Sequence, residues 1–300
     1  MWRRSGLLVG VTLMLSASLA WAEDLPLHVL LTNDDGFAAA GLKAVRTALE
    51  QAGYTVTVVA PLRQQSGSGV RLTLGEIAVA EHGHRTWSVD GSPADSASYG
   101  LSRVLADRRP QVVVSGANLG QNLGANAVSS GTVGAAVMAA QLGVPAIAVS
   151  VGLDLAEAKH TPTPFPSTVA AYPLAGEFVA RLIARLAEQA HGGPLLPANT
   201  VLNINVPARP AANIKGVRLA PLGRHGGFRM IYVERPGQAR MLSTMEPDLA
   251  GLAELEADTG WFAKDYITVS VLRVDWNALP ADNAKVGARL GALETLRAPP

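Results

Sequence analysis

Two adjacent carboxylates, Asp34 and Asp35, end the apolar run Val29-Leu30-Leu31 and are followed directly by Gly36. Such a pair can hold a hard cation or move a proton. Three further stretches offer oxygen ligands: Ser66 in LRQQSGSG, Asn118 and Asn122 in ANLGQNLGANAVSSGTVG, and Ser130-Gly131-Thr132 near the end of that second run. The chain has no Cys, and none of its six His lies in these stretches. The donor set therefore suits Mg²⁺, Mn²⁺ or Ca²⁺ better than zinc. Ser130 also precedes an alanine-rich helical run, whose first N–H groups and partial positive charge would seat a phosphate. A divalent ion beside such a seat is an arrangement for phosphate chemistry.

Each residue also has an ordinary reading. Asn-Asp-Asp-Gly is equally a turn with an Asp capping the next helix, and Ser130 equally a plain N-cap. Ser66 can be a flexible loop serine, and Asn118 and Asn122 left-handed turn residues. His225, in GRHGG, is either a phosphate contact or a surface loop histidine.

The elements that would position these groups follow from hydrophobic spacing. Val29–Leu31 reads as a buried strand. Successive strand side chains alternate in direction, so Asp34 and Asp35 share a site only if the strand has ended and the chain is turning. Leu42, Val45 and Leu49 predict a helix that stops at Gly53, and YTVTVVAP (54–61) predicts a second strand. Strand, helix, strand at this spacing is a βαβ unit with parallel strands. Residues 70–90 read as antiparallel strands at the sheet edge, and 91–105 as a helix with Pro93 in its first turn. QVVVSG (111–116) is a third buried strand, followed by the glycine-rich loop, a helix over Val133–Leu142 and the strand VPAIAVS. Residues 151–170 read as irregular, Glu177–Ala190 as an amphipathic helix and VLNINVP (201–207) as a strand. The pattern predicts an α/β fold with a mostly parallel sheet flanked by helices. Three candidate loops then leave strand carboxyl ends, where open α/β sheets bind ligands.

Residues 1–22 read as a secretory signal: Arg3 and Arg4, an apolar run from Leu7 to Leu19, then Ala20-Trp21-Ala22 as a cleavage site. An exported, periplasmic protein without a membrane anchor after cleavage is expected, an uncleaved anchor being the other reading. Residues 23–207 form the expected core, and 208–300 a β-rich extension and tail of the same domain. Its short runs (GVRLAPL, FRMIYV, ARMLS) and the strand at 265–276 suggest hairpins, which need a neighbour to be stable and so point to a second subunit. A net charge of +1 without a basic run argues against an electrostatic nucleic-acid footprint.

Several segments occur together in a fixed order: TNDDG with GL (33–42), VVAPLRQQSGSG (58–69), VDGSPADSASYGL (89–101), VVVSGANLGQNLG (112–124), SSGTVGAA (129–136), LNINVP (202–207) and YITVSVLRVD (266–275). In this the chain resembles the SurE family of 5′-nucleotidases over nearly its whole mature length. The resemblance implies a Rossmann-like core with a carboxy-terminal β extension exchanged between subunits, as a homodimer or homotetramer. It also implies a phosphomonoesterase acting on nucleoside 5′-monophosphates with one divalent ion, Mg²⁺ or Mn²⁺, per subunit. Its metal ligands fall on Asp34, Asp35, Ser66 and Asn118, and its phosphate segment on Ser130, Gly131 and Thr132. The expected reaction is hydrolysis by a metal-activated water without a phosphoenzyme. Asp34, Asn118, Ser130 and Thr132 are the catalytic candidates, with Asn122 joining the phosphate site. Members typically carry Asp-Val-x-Tyr before Ser-Gly-Thr, where this chain has Asn126-Ala127-Val128-Ser129, and Thr where it has Ser92.

Other classes fit less well. A phosphorylated receiver module needs an acceptor Asp at the end of its third strand, which here ends in Ser115. A periplasmic solute-binding protein has no need of the carboxylate pair; the alternative that stays open is a periplasmic nucleotide- or phosphate-binding protein of the same fold without turnover.

Overall fold

A computed structural model describes residues 26–154, 156–157, 165–235, 237 and 240–291. The signal segment lies outside them. The chain folds as a mixed α/β structure built on one large sheet. In chain order its strands are β1 (His28–Thr32), β2 (Thr55–Pro61), β3 (Val79–Glu81), β4 (Thr86–Val89), β5 (Val112–Leu119), β6 (Ala146–Val151), β7 (Thr200–Val206), β8 (Gly216–Leu219) and, after a separate pair, β11 (Tyr266–Arg273). Their spatial order is β3-β4-β2-β1-β5-β6-β7-β11-β8. Strands β4, β2, β1, β5, β6 and β7 are parallel, and β11 runs antiparallel to β7. The separate pair, β9 (Phe228–Glu234) and β10 (Met241–Pro247), forms a small antiparallel sheet of its own.

Strand β1 is apolar on both faces because both are covered. Val29 and Leu31 join a core with α1 (Ala40–Gln51) and α4 (Pro166–Ala190). Leu30 lies in the opposite core with α3 (Gly131–Gln141), and the helix α2 (Pro93–Tyr99) packs on this side of the sheet too. Fully burying one such side chain is worth about 1.5–3 kcal/mol. After β1 the chain forms β2 on one side, then crosses back to form β5 on the other. The β1–β5 boundary is therefore the topological switch point, the position at whose carboxyl edge open α/β sheets bind ligands.

Four elements differ from the sequence reading. Helix α4 starts at Pro166 rather than near Glu177, because Pro166 is preset for a first helical turn. Its early turns bury small residues such as Ala171 and Ala175, which carry little amphipathic signal. Strand β4 pairs parallel with β2, so only β3 is antiparallel in the edge insertion. Strand β5 continues past Gly116 to Leu119, which puts Asn118 on the strand itself. After two short helices, α5 (Leu249–Leu252) and α6 (Asp258–Phe262), the tail forms an exposed helix, α7 (Pro280–Leu290).

Candidate active site

The turn after β1 is closed by its own Asn33. That side chain donates from Nδ2 to the Gly36 carbonyl at 3.0 Å and accepts the Gly36 N–H at Oδ1, 3.2 Å. Gly36 has φ +105°, a left-handed value that glycine adopts without penalty. The strand thus ends before the carboxylates, and both can serve one place. The Asp34 carbonyl accepts the Gln65 N–H at 2.7 Å, which ties in the loop after β2. Asp35 Oδ2 accepts the Leu119 N–H at 3.0 Å, which ties in β5. The Thr132 hydroxyl donates to Asp34 Oδ1 at 2.6 Å, which ties in the start of α3. Three segments, the loop after β2, the end of β5 and the start of α3, are therefore joined by hydrogen bonds to the acidic pair.

Helix α3 begins with Ser130 as its N-cap, the hydroxyl accepting the Val133 N–H at 3.2 Å. Gly131 lets the neighbouring groups approach: a Cβ there would lie 2.7 Å from Ser68 Oγ and 3.0 Å from Asp34 Oδ2. Asn118 donates from Nδ2 to the Gly120 carbonyl at 2.7 Å, while its buried Oδ1 has no partner. Asn122 Nδ2 donates to Ser150 Oγ at 2.9 Å, so part of its carboxamide is already engaged by the sheet. Ser66 is exposed; its hydroxyl accepts from Gln64 Nε2 at 2.5 Å, and no hydrogen bond joins it to the carboxylates.

Two residues of the site escaped the sequence reading. Ser68 Oγ is buried and unpartnered beside Asp34 and Gly131. SGSG offers two serines, and nothing in the motif says which one faces inward. Asp258, on α6 (Asp258–Phe262), is fully buried and accepts the N–H groups of Gly124, Gly223 and Thr259, each at 2.9 Å. It holds the glycine-rich loop from a segment far away in sequence, and its surroundings EADTG carry no distinctive pattern.

His225 sits in the same neighbourhood with its Nδ1 2.6 Å from Glu254 Oε1, its side chain half exposed, and its carbonyl accepting the Ala125 N–H at 3.3 Å. Asn126 faces the extension: Nδ2 donates to the Phe228 carbonyl at 3.0 Å and Oδ1 accepts the Phe228 N–H at 3.2 Å. An Asp could make only the second bond, so Asn here gains a fastener for β9. Ser92 caps α2 in a capping box with Asp95, a role that Thr fills as well.

The electrostatics are those of a site short of positive charge. Burial pushes the Asp34 carboxyl above its ordinary range, against the pull of Thr132. Burial, then the neighbouring Asp34 charge, pushes Asp35 up to about 6, against its bond from Leu119. No basic side chain contributes to either shift. Among the described residues no three His, Cys, Asp or Glu side chains cluster as a metal site. Any cation here would take two carboxylates plus neutral oxygens. Asn118 Oδ1, unpartnered and buried, is such an oxygen, and the set fits a hard divalent ion. The sign of the pH effect follows. A carboxyl raised above its unfolded value near 3.9 contributes stability below that value and loses it as pH rises through about 6. In EDTA the thermal midpoint should therefore carry a decrease between pH 4 and 7 that Asp35→Asn flattens, and excess Mg²⁺ should offset it at pH 7.

A surface cleft of about 420 Å³, lined in part by Leu27, Pro110, Val144 and Leu195, lies at the amino ends of the strands, away from these groups.

The family model of Survival protein SurE matches residues 29–227. A protein of Symbiobacterium thermophilum named 5′-nucleotidase SurE is 39% identical over 265 residues, spanning 82% of this chain and 92% of its own. A protein of the same name from Nitratidesulfovibrio vulgaris is 35% identical over 275 residues, spanning 89% and 100%. Among solved structures, the Sure protein from Aquifex aeolicus superposes with a TM-score of 0.67 at 28% identity, covering 89% of this chain and 99% of that one.

Proposed function

This chain belongs to the SurE family, and from that premise we propose that it is a 5′-nucleotidase, a phosphomonoesterase that depends on a divalent cation. The observation that carries this reading is the convergence of Asp34, Asp35 and the unpartnered Asn118 Oδ1 beside the first turn of α3. Asp34, Asp35, Ser66 and Asn118 would hold one Mg²⁺ or Mn²⁺. When bound, that ion would neutralise phosphate charge and lower the pKa of a water.

The remaining work falls to the chain itself. Thr132 fixes one Asp34 oxygen by its 2.6 Å bond, leaving Oδ2 turned toward Gly131 and Ser68. The Leu119 N–H fixes one Asp35 oxygen in the same way. The N-terminal turn of α3, with Ser130, Gly131, Thr132 and Asn122, would hold the phosphate; its amide dipoles are already oriented before charge develops. Ser68 would donate its free hydroxyl to a phosphate oxygen. Ser68→Ala is accordingly expected to raise KM about tenfold, the worth of a hydrogen bond to a charged group. Mn²⁺ affinity, read by calorimetry, should stay within about twofold of the parent, since the metal ligands are untouched.

The second reading is a nucleotide- or phosphate-binding protein of this fold without turnover. Phosphate release from a panel of 5′- and 3′-nucleoside monophosphates and a simple aryl phosphate separates the two. Release favouring 5′-monophosphates supports the nucleotidase; saturable nucleotide binding without release under Mg²⁺ or Mn²⁺ supports the binder.

We also assign the protein to the periplasm after cleavage near Ala22, on the pattern of residues 1–22. No helix of the described residues is long and apolar enough to cross a membrane. A homodimer or homotetramer is proposed from the β9–β10 pair. It stands apart from the main sheet and exposes Met230, Tyr232, Met241 and Met245. Light scattering on the full chain checks the assembly, and amino-terminal sequencing of exported protein checks the cleavage.

A further inference from the structure

Strand β7 lies between β6 and β11, and all its residues are buried. Two of them, Asn203 and Asn205, are carboxamides with no exposed surface. Being two apart they point to the same face as Val201, which packs in the core beneath α3. Buried carboxamides are costly unless bonded. Both direct their bonds to one residue of the glycine-rich loop. Asn205 Oδ1 accepts the Asn122 N–H at 2.7 Å, and its Nδ2 donates to the Asn122 carbonyl at 3.3 Å. Asn203 Nδ2 donates to the same carbonyl at 2.8 Å. The Asn122 side chain completes the anchorage through Ser150, which is in register with Asn205 on one side and Asn118 on the other.

We infer that Asn203 and Asn205 are positioning residues for the site, clamping the backbone of Asn122 so that the loop leading to the start of α3 keeps its place around a bound phosphate. The inference rests on the proposed phosphatase reading for its kinetics. Asn205 treats the Asn122 peptide groups as a neighbouring strand would, so the loop is fixed to the sheet at a point between Asn118 and Ser130. Asn203 Oδ1 meanwhile has no partner. A buried amide left half satisfied contributes little to stability, so its bond to the loop is the explanation the geometry offers for its presence. The clamp also gives the LNINVP motif a task at the site without any contact to substrate.

The test uses the mature full chain with Asn203→Ala, Asn205→Ala and Ser150→Ala. Four quantities are read: thermal midpoint, Mn²⁺ affinity by calorimetry, Ki for inorganic phosphate, and the split between kcat and KM. The clamp requires kcat to fall and the phosphate Ki to rise by about tenfold or more, as small misplacements do, with Mn²⁺ affinity within threefold. Values of kcat and Ki within twofold of the parent would overturn it. So would a loss of Mn²⁺ affinity in step with phosphate, which would mean a merely structural role. Should Asn205→Ala not fold, Asn203→Ala, which leaves both Asn205 bonds in place, decides the matter. If the parent chain turns over no substrate, the phosphatase reading fails, yet calorimetric phosphate binding still reports whether the clamp shapes the loop.

Discussion

Asp34→Asn is expected to lower kcat by at least about 10³-fold while leaving the fold intact or more stable, the scale of losing a metal-bound nucleophile or a principal electrostatic stabiliser. The carboxylate is 2% exposed, and one of its oxygens is committed to Thr132. The other faces the space shared with Ser68. Asn keeps the shape and removes the charge that a cation would neutralise. In the absence of metal that charge is a liability, because burial already pushes the Asp34 carboxyl upward and its charge helps to push Asp35 up. Removing it should therefore hold or raise the thermal midpoint in EDTA at pH 7, and should lower the pH at which Asp35 titrates. Activity lost together with the fold would point to a structural carboxylate. Activity kept within tenfold would place the chemistry elsewhere.

Gly134→Ala should be strongly damaging although it adds one methyl group inside a helix. In an exposed helix this change stabilises by up to about 1 kcal/mol. Here a Cβ would lie 1.9 Å from the Gly69 carbonyl oxygen and 2.4 Å from its carbon. Those are backbone atoms and cannot rotate aside, so the loop carrying Ser66 and Ser68 must move away from α3. That loop is fastened on both sides, by the Gln65 N–H to Asp34 and the Gly69 N–H to the Ser129 carbonyl at 3.1 Å. The displacement should cost about 1–3 kcal/mol, as overpacking does. It should also reduce kcat/KM about 10²-fold through misplacement of the serine loop. Gly287→Ala is the control, since nothing lies within 4 Å of its added Cβ on the exposed helix α7. It should be neutral or stabilising, and equal effects from the two substitutions would contradict the close approach.

The sequence reading and the structure agree where one physical rule acts alone. Val29–Leu31 and Val112–Val114 are continuous apolar runs because both sheet faces are covered, and such runs announce themselves. Asp34, Asp35 and Asn118 could be grouped because each follows or ends a parallel strand, and parallel strands share one carboxyl edge. What could not be read depends on side-chain direction or on partners distant in the chain. Ser66 and Ser68 differ by two residues in an irregular loop, and only the folded backbone shows Ser68 beside Asp34. VLNINVP reads as a strand, and nothing in it shows that Asn203 and Asn205 are both buried beneath a loop anchored to them. Asp258 meets Gly124 only through tertiary folding. Pro166 and Pro173 disguised the first turns of α4, where small residues such as Gly176 against Ala48 allow close packing on α1.

Whether the Asp34–Asp35 pair binds a divalent cation required for phosphomonoester hydrolysis is decided by a single assay. Mature chain stripped with EDTA is assayed for phosphate release from a nucleoside 5′-monophosphate, before and after stepwise return of Mg²⁺ or Mn²⁺. Release is expected to disappear on stripping and to return saturably with metal in the parent chain but not in Asp34→Asn. Release that persists undiminished in EDTA, or that returns equally in both proteins, would contradict it.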